Sequence, residues 1–200
     1  MSAPSVRFYF SFRSPYAWLA LERWDSVLGS LPIRRELVPV YPPPDFPNDP
    51  AANPQKMKYI VEDLLRLTRA YGLSTAPPVS LDTDWPNAHA AFLAADKASR
   101  GDAFALALCR ARWCEHKDVG LDDVIFEAAE HVGLRGDEIL AGAHDASMRS
   151  RVTENIEQAF EQDGIFGVPT FIFDGQMFWG QDRMDFLAEA VRGHVESDSA

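Results

Sequence analysis

The chain has 200 residues, 46% hydrophobic and 12% aromatic, which suits one globular domain, or one domain with a large insertion, built around a real core. Thirty acidic side chains against nineteen basic ones leave a formal net charge of −11, and both a nucleic-acid backbone and an anionic membrane would repel it, so neither is expected as a partner. No apolar run approaches the roughly 20 residues that span a bilayer, and the start of the chain lacks a basic segment followed by an apolar stretch, so a cytoplasmic location is expected.

Val6 to Ser11 alternate through aromatic and β-branched residues and predict a first strand. Ser14-Pro15 then predicts a helix start, with Ser14 as N-cap and Pro15 at the first helical position, where its missing N–H costs nothing. Ala17, Leu21, Trp24 and Leu28 recur at helical spacing on one face. Gly29-Ser30 ends this helix, and Ile33 to Tyr41 contains a second strand. One helix between two strands points to parallel pairing.

Pro42 to Pro54 is proline-rich and predicts an irregular excursion. From Gln55 to Tyr71, Met57, Ile60, Val61, Leu64 and Leu65 keep helical spacing, and Gly72 closes the segment. After a loop from Ser74 to Pro86, further helices are predicted over Asn87–Ser99, Ala103–His116, Leu121–Val132 and Gly136–Ala143. No strand signal interrupts this block of about a hundred residues. Arg149 to Gln162 is one more helix, leading into Gly167-Val168-Pro169.

Proline cannot donate to a ladder, so Pro169 sits at the mouth of the strand Thr170–Phe173. The Val168-Pro169 bond can be an ordinary trans link or a cis one; a cis bond would leave the Val168 backbone free to pair with a peptide-like ligand. Asp174-Gly175-Gln176 turns the chain into Met177–Trp179, and a last helix is predicted over Asp182–His194. Without the helical block the order is β-α-β, then α-β-β-α.

Cys109 and Cys114 lie five apart in a helical stretch, about 140° apart around the axis, which argues against a bridge between them. The five histidines form no metal-ligand spacing, and no metal is expected. His89, after Trp85-Pro86-Asn87-Ala88, reads as a surface or helix-capping histidine.

Three motifs stand in order around the helical block: Phe10-Ser11-Phe12-Arg13-Ser14-Pro15-Tyr16-Ala17-Trp18-Leu19-Ala20, Gly167-Val168-Pro169-Thr170, and Trp179-Gly180-Gln181-Asp182-Arg183. Together they resemble the 2-hydroxychromene-2-carboxylate isomerases and the kappa-class glutathione transferases of the DsbA-like superfamily. The resemblance implies an α/β chain with a thioredoxin-like fold and a large all-helical insertion, residues 1–42 and 146–200 forming the thioredoxin-like domain and 43–145 the insertion. It also implies a cis Pro169.

Redox relatives carry Cys-x-x-Cys at the first helix N-terminus, where this chain has Arg13-Ser14-Pro15-Tyr16. By resemblance, Ser14 is the catalytic residue, holding the sulfur of a glutathione cofactor as thiolate at a helix N-terminus. Val168, next to Pro169, would pair its backbone with the cysteinyl unit, Gln181 and Asp182 would hold the γ-glutamyl end, and Lys56 would reach the glycyl end. Gln181 departs from the asparagine or serine expected there.

Tyr16 and Trp179 are candidates for the wall of an aromatic substrate slot, with Trp18 and Trp85 weighed beside them. Arg13 and Lys58 are candidates for a substrate carboxylate. The implied activity is a glutathione-dependent isomerisation of a conjugated intermediate of aromatic degradation, with the thiolate adding reversibly. The alternatives are a kappa-like transferase and a DsbA-like protein that binds thiol peptides without redox activity. The family also implies a homodimer.

Overall fold

The computed structural model describes residues 3–43, 52–80 and 82–198. Four strands, β1 (Ser5–Phe10), β2 (Arg34–Pro39), β3 (Thr170–Phe173) and β4 (Gln176–Trp179), form one sheet in the order β2-β1-β3-β4. β1 and β2 run parallel, as the single intervening helix α1 (Pro15–Leu28) predicts, while β3 is antiparallel to both β1 and β4.

Burial on both faces makes β1 the centre of the sheet. Val6, Phe8 and Phe10 face the main core with Ala17, Leu21, Trp24 and Leu28 of α1, and Tyr9 faces a smaller cluster with Val40, Ala159 and Ile165. Phe8 stacks on Trp24 with centroids 6.0 Å apart and meets Phe171 of β3 at 4.6 Å. Such ring pairs add about 0.5–1.5 kcal/mol each beyond the area they bury, so they fix the helix against the middle of the sheet.

The helical block comprises α2 (Pro54–Tyr71), α3 (Trp85–Lys97), α4 (Gly101–Trp113), α5 (Asp122–His131) and α6 (Gly136–Ala143). Most of the predicted irregular excursion, residues 44–51, lies outside the described residues. α3 begins two residues before the predicted Asn87, because the Asp84 carboxylate accepts from Asn87 N–H at 3.0 Å and Pro86 fits the first turn. Glu22 of α1 takes Arg110 of α4 on two oxygens, at 2.8 and 2.7 Å, and so ties this block to the first helix.

α7 (Ala146–Glu157) starts three residues before Arg149, capped by Asp145, and passes into a single π turn over Gln158–Gln162. The last helix enters through a 3₁₀ turn, Gln181–Arg183, before α8 (Met184–Asp198). Gly180 precedes that turn at φ +109°, and a Cβ there would stand 2.4 Å from Asp182 Oδ1. Only glycine fits.

His89 is neither on the surface nor a helix cap. It is fully buried, ringed by Phe10, Phe12, Tyr41 and Trp85, with Nδ1 donating to the Trp85 carbonyl at 2.7 Å and Nε2 accepting from Ser11 Oγ at 3.3 Å. The reason is the place of its helix: α3 packs against α4, α6, α7 and β2, and its buried Ala88, Ala90 and Ala91 let neighbours approach closely. Burial lowers the pKa of His89 from 6.5 to about 4, so the ring is neutral near pH 7.

Candidate active site

Ser14 is placed by the turn between β1 and α1. Its N–H donates to Ser11 O at 3.0 Å, its carbonyl receives Trp18 N–H, and its hydroxyl oxygen accepts from Ala17 N–H at 3.2 Å, the N-cap bond the sequence predicts. The same hydroxyl donates to the carbonyl of Val168 at 3.2 Å. Two segments 154 residues apart thus meet at one oxygen. The Val168-Pro169 peptide is cis, and among the described residues no backbone carbonyl takes the Val168 N–H.

From Pro169 the site continues to the entrance of α8. Gly180 N–H donates to Pro169 O at 2.9 Å, which sets Gln181 and Asp182 next along the same rim. Asp182 is exposed, with Arg183 Nη1 3.4 Å away. Gln181 is buried and faces inward: its Oε1 accepts from Arg23 at 2.7 Å and from Tyr71 at 3.1 Å, and Arg23 also reaches its carbonyl. Its side-chain oxygen is committed to pinning the last helix to α1 and α2. Trp179 is exposed and lies over Gly167, where a Cβ would meet the indole nitrogen at 2.9 Å, and it meets Phe166 edge to face at 4.8 Å.

Tyr16 reaches across from α1 to α2. Its hydroxyl donates to Asp63 of α2 at 3.0 Å, and burial together with that carboxylate raises its pKa, so it stays protonated and acts as a strut between the helices. Lys56 sits exposed in the first turn of α2, two turns before Asp63 on the same face, about 10 Å along the axis. Lys58 points to solvent beside Glu62. Arg13 is half-buried, its N–H donating to Ser11 Oγ at 3.3 Å. The structure therefore brings together Ser14, Val168, Pro169 and the Gly180–Asp182 turn, while the Tyr16 hydroxyl is bonded to Asp63 and Lys56 and Lys58 stand exposed on α2.

The matching family profile, described as DSBA-like thioredoxin domain, covers residues 5–192. The chain belongs to this family. Similarity extends to the 2-hydroxychromene-2-carboxylate isomerase of Sphingobium xenophagum, 30% identical over 92% of this chain and 95% of that protein, and to that of Pseudomonas putida, 25% identical over 95% of each. These relatives support membership of an isomerase family and hence an enzyme. Among solved structures, a 2-hydroxychromene-2-carboxylate isomerase superposes with a TM-score of 0.80 at 21% identity, covering 98% of this chain and 99% of that chain. The cytosolic disulfide reductase DsbM from Pseudomonas aeruginosa with GSH gives 0.69 at 15% identity, covering 97% and 98%. Both show the same fold.

This DSBA-like domain has no thiol at the start of α1. Cys109 is buried and Cys114 half-buried on and just after α4, both free, and burial with the nearby Glu22 charge raises both pKa values. A raised thiol is a poor nucleophile. Insulin disulfides should therefore be reduced no faster with the protein than without it, and a Cys109→Ser/Cys114→Ser variant should behave identically. Turnover that disappeared in that variant would contradict this reading of the site. Among the described residues, no cluster of three metal-ligating side chains occurs and no helix is long and apolar enough to cross a membrane.

Several residues of the site carry no signal in the sequence for the part they play. Ser11 and His89 back the Ser14 turn, Asp63 braces Tyr16, and Arg23 and Tyr71 hold Gln181. Phe166 is the exception, since an aromatic directly before Gly167-Val168-Pro169 stands out by its position.

Proposed function

We propose that this enzyme is a glutathione-dependent isomerase of a 2-hydroxychromene-2-carboxylate or a closely related conjugated acid, with Ser14 as its catalytic residue. The single observation that carries the reading is the Ser14 hydroxyl at a helix N-terminus, hydrogen-bonded to the carbonyl next to a cis proline. The names of the two curated isomerases supply the substrate class.

The residues fit a small thiol peptide. Val168 offers an N–H with no backbone acceptor among the described residues and a carbonyl engaged only through Ser14, which is how a strand edge receives an extended ligand. Asp182, exposed in the first turn before α8, suits an ammonium, and the backbone donors of that turn suit a carboxylate. Bound glutathione supplies a thiolate nucleophile for covalent catalysis. The chain's own part is to hold that charge. The Ser14 proton can swing from Val168 O toward an anion in front of α1 without moving Oγ, so the Ala17 N–H bond survives, and the helix dipole adds to the attraction. The same swing releases the Val168 carbonyl to accept from a peptide N–H. Lys56 and Arg13 complete the proposal as cations at the two outer ends, and Trp179 as an aromatic wall.

Thiol bookkeeping tests it. With 2-hydroxychromene-2-carboxylate as substrate, interconversion should require glutathione only in catalytic amounts, and free thiol measured by a chromogenic disulfide should stay constant. Loss of one thiol per substrate consumed would replace the isomerase by a transferase. Conversion without glutathione would remove the cofactor from the proposal.

A further inference from the structure

Arg112 of α4 is the only formally charged side chain in the fully buried set among the described residues. Its Nη2 donates to Ser80 O at 2.6 Å, while Nε and Nη1 are buried without any acceptor. The guanidinium lies over the rings of both Trp85 and Trp113, its carbon 4.7 and 5.2 Å from their centroids. The indole N–H of Trp113 is likewise buried and unpartnered. Burying a cation is strongly unfavourable; the Asp118 carboxylate is near enough to act on Arg112 but takes none of its hydrogen bonds, and cation–π contacts offset only part of the cost. Three orphaned donor atoms in one place call for an acceptor.

The free donors decide the shape of that acceptor. With two indoles packed against the guanidinium and one of its five N–H groups spent on Ser80, one complete two-donor edge remains. That edge matches a carboxylate. Trp85 connects it to the active site through packed side chains: Trp85 touches His89, His89 holds Ser11, and Ser11 receives the N–H of Arg13 and the N–H of Ser14. Arg112 also lies within electrostatic reach of Asp118 and, more weakly, of Arg13.

We propose that Arg112, with Trp113 Nε1, is a carboxylate-binding site for an aromatic acid whose ring lies against Trp85. Where the acid is the substrate of the isomerase, this deepens and rests on the function proposed above; the binding itself does not require glutathione.

The test is calorimetric titration of the full chain with 2-naphthoate, with 2-naphthalenemethanol as its uncharged counterpart. Saturable 2-naphthoate binding is expected, with the alcohol at least tenfold weaker. Arg112→Met should weaken 2-naphthoate tenfold or more and Trp113→Phe severalfold, with the affinity for glutathione unchanged in both. Equal 2-naphthoate affinity in Arg112→Met, or no binding by the unmodified protein, would overturn the site. Displacement of 2-naphthoate by millimolar chloride would overturn the carboxylate assignment in favour of an inorganic anion. Should Arg112→Met fail to fold by circular dichroism, Arg112→Lys, which keeps the charge and loses the fork, decides by the same criterion. Failure of the unmodified protein to bind glutathione would end the proposed isomerase reading and leave the 2-naphthoate result to judge Arg112 by itself.

Discussion

Ser14→Ala should lower kcat/KM for the glutathione-dependent isomerisation by about 10²- to 10³-fold, the loss typical when a preorganised donor to a developing or resident anion is removed. The bound thiol should also titrate closer to its free value of about 8.5, because the hydroxyl that stabilises the charged form is gone. Thiolate absorbance in the ultraviolet, followed across pH in the saturated complex, measures this. The substitution also removes the helix cap and the bond to Val168, at a cost of about 1 kcal/mol in stability. Ser14→Thr separates the two effects, since it keeps both cap and hydroxyl and should keep most of the thiol acidification. A Ser14→Ala enzyme within threefold of the parent, with the thiol pKa still depressed, would leave Ser14 as a helix cap only.

Acid should destabilise the protein through His89, by about 3 kcal/mol between pH 6.5 and 4. The sign follows from where the proton binds: burial puts the folded pKa at about 4, below the ordinary value of 6.5, so in this window the unfolded chain binds a proton that the folded chain refuses. This contribution is therefore present above pH 6.5 and is lost progressively as the pH drops through the window toward 4. For a chain of this size the melting temperature should drop on the order of 10 °C. His89→Phe should be less stable at pH 7, because Ser11 and Trp85 O lose their partner, but should lack this portion of the acid slope. Urea unfolding at several pH values compares the two. Parallel slopes would show that the acid sensitivity lies elsewhere. A loss of activity is expected below that window, from about pH 4 down, where the folded ring itself takes a proton: a protonated His89 must donate from Nε2 and so turns the Ser11 hydroxyl away, in the turn whose carbonyl holds Ser14 N–H.

The two predictions draw on different kinds of information. Ser14 is legible in the sequence because a helix cap is local: the Ser-Pro pair, the stripe from Ala17 to Leu28 and the strand before it all act within a few residues, and the structure reproduces them. The parallel pairing of β1 and β2 follows from one helix between two strands, and the helical block follows from apolar spacing with no strand signal. Gly167-Val168-Pro169 marks the second half of the site because proline excludes itself from a ladder. Local rules miss the starts of α3 and α7 by two or three residues, where Asp84 and Asp145 supply caps that periodicity does not register.

His89 escapes a local reading because its surroundings come from distant segments: Ser11 lies 78 residues away, and four aromatic rings from three parts of the chain close around it. Gln181 reads as a ligand contact in the sequence, yet its oxygen is taken by Arg23, 158 residues earlier, and by Tyr71. Tyr16 meets Asp63 across 47 residues for the same reason. The sequence by itself determined which segments are helix or strand and where a hydroxyl meets a helix start, since capping, periodicity and proline act along the chain. Only the tertiary structure decided which polar groups are spent on one another and which, like Val168 N–H and the edge of Arg112, are left for something else, because hydrogen-bond partners between elements are chosen by packing across the core.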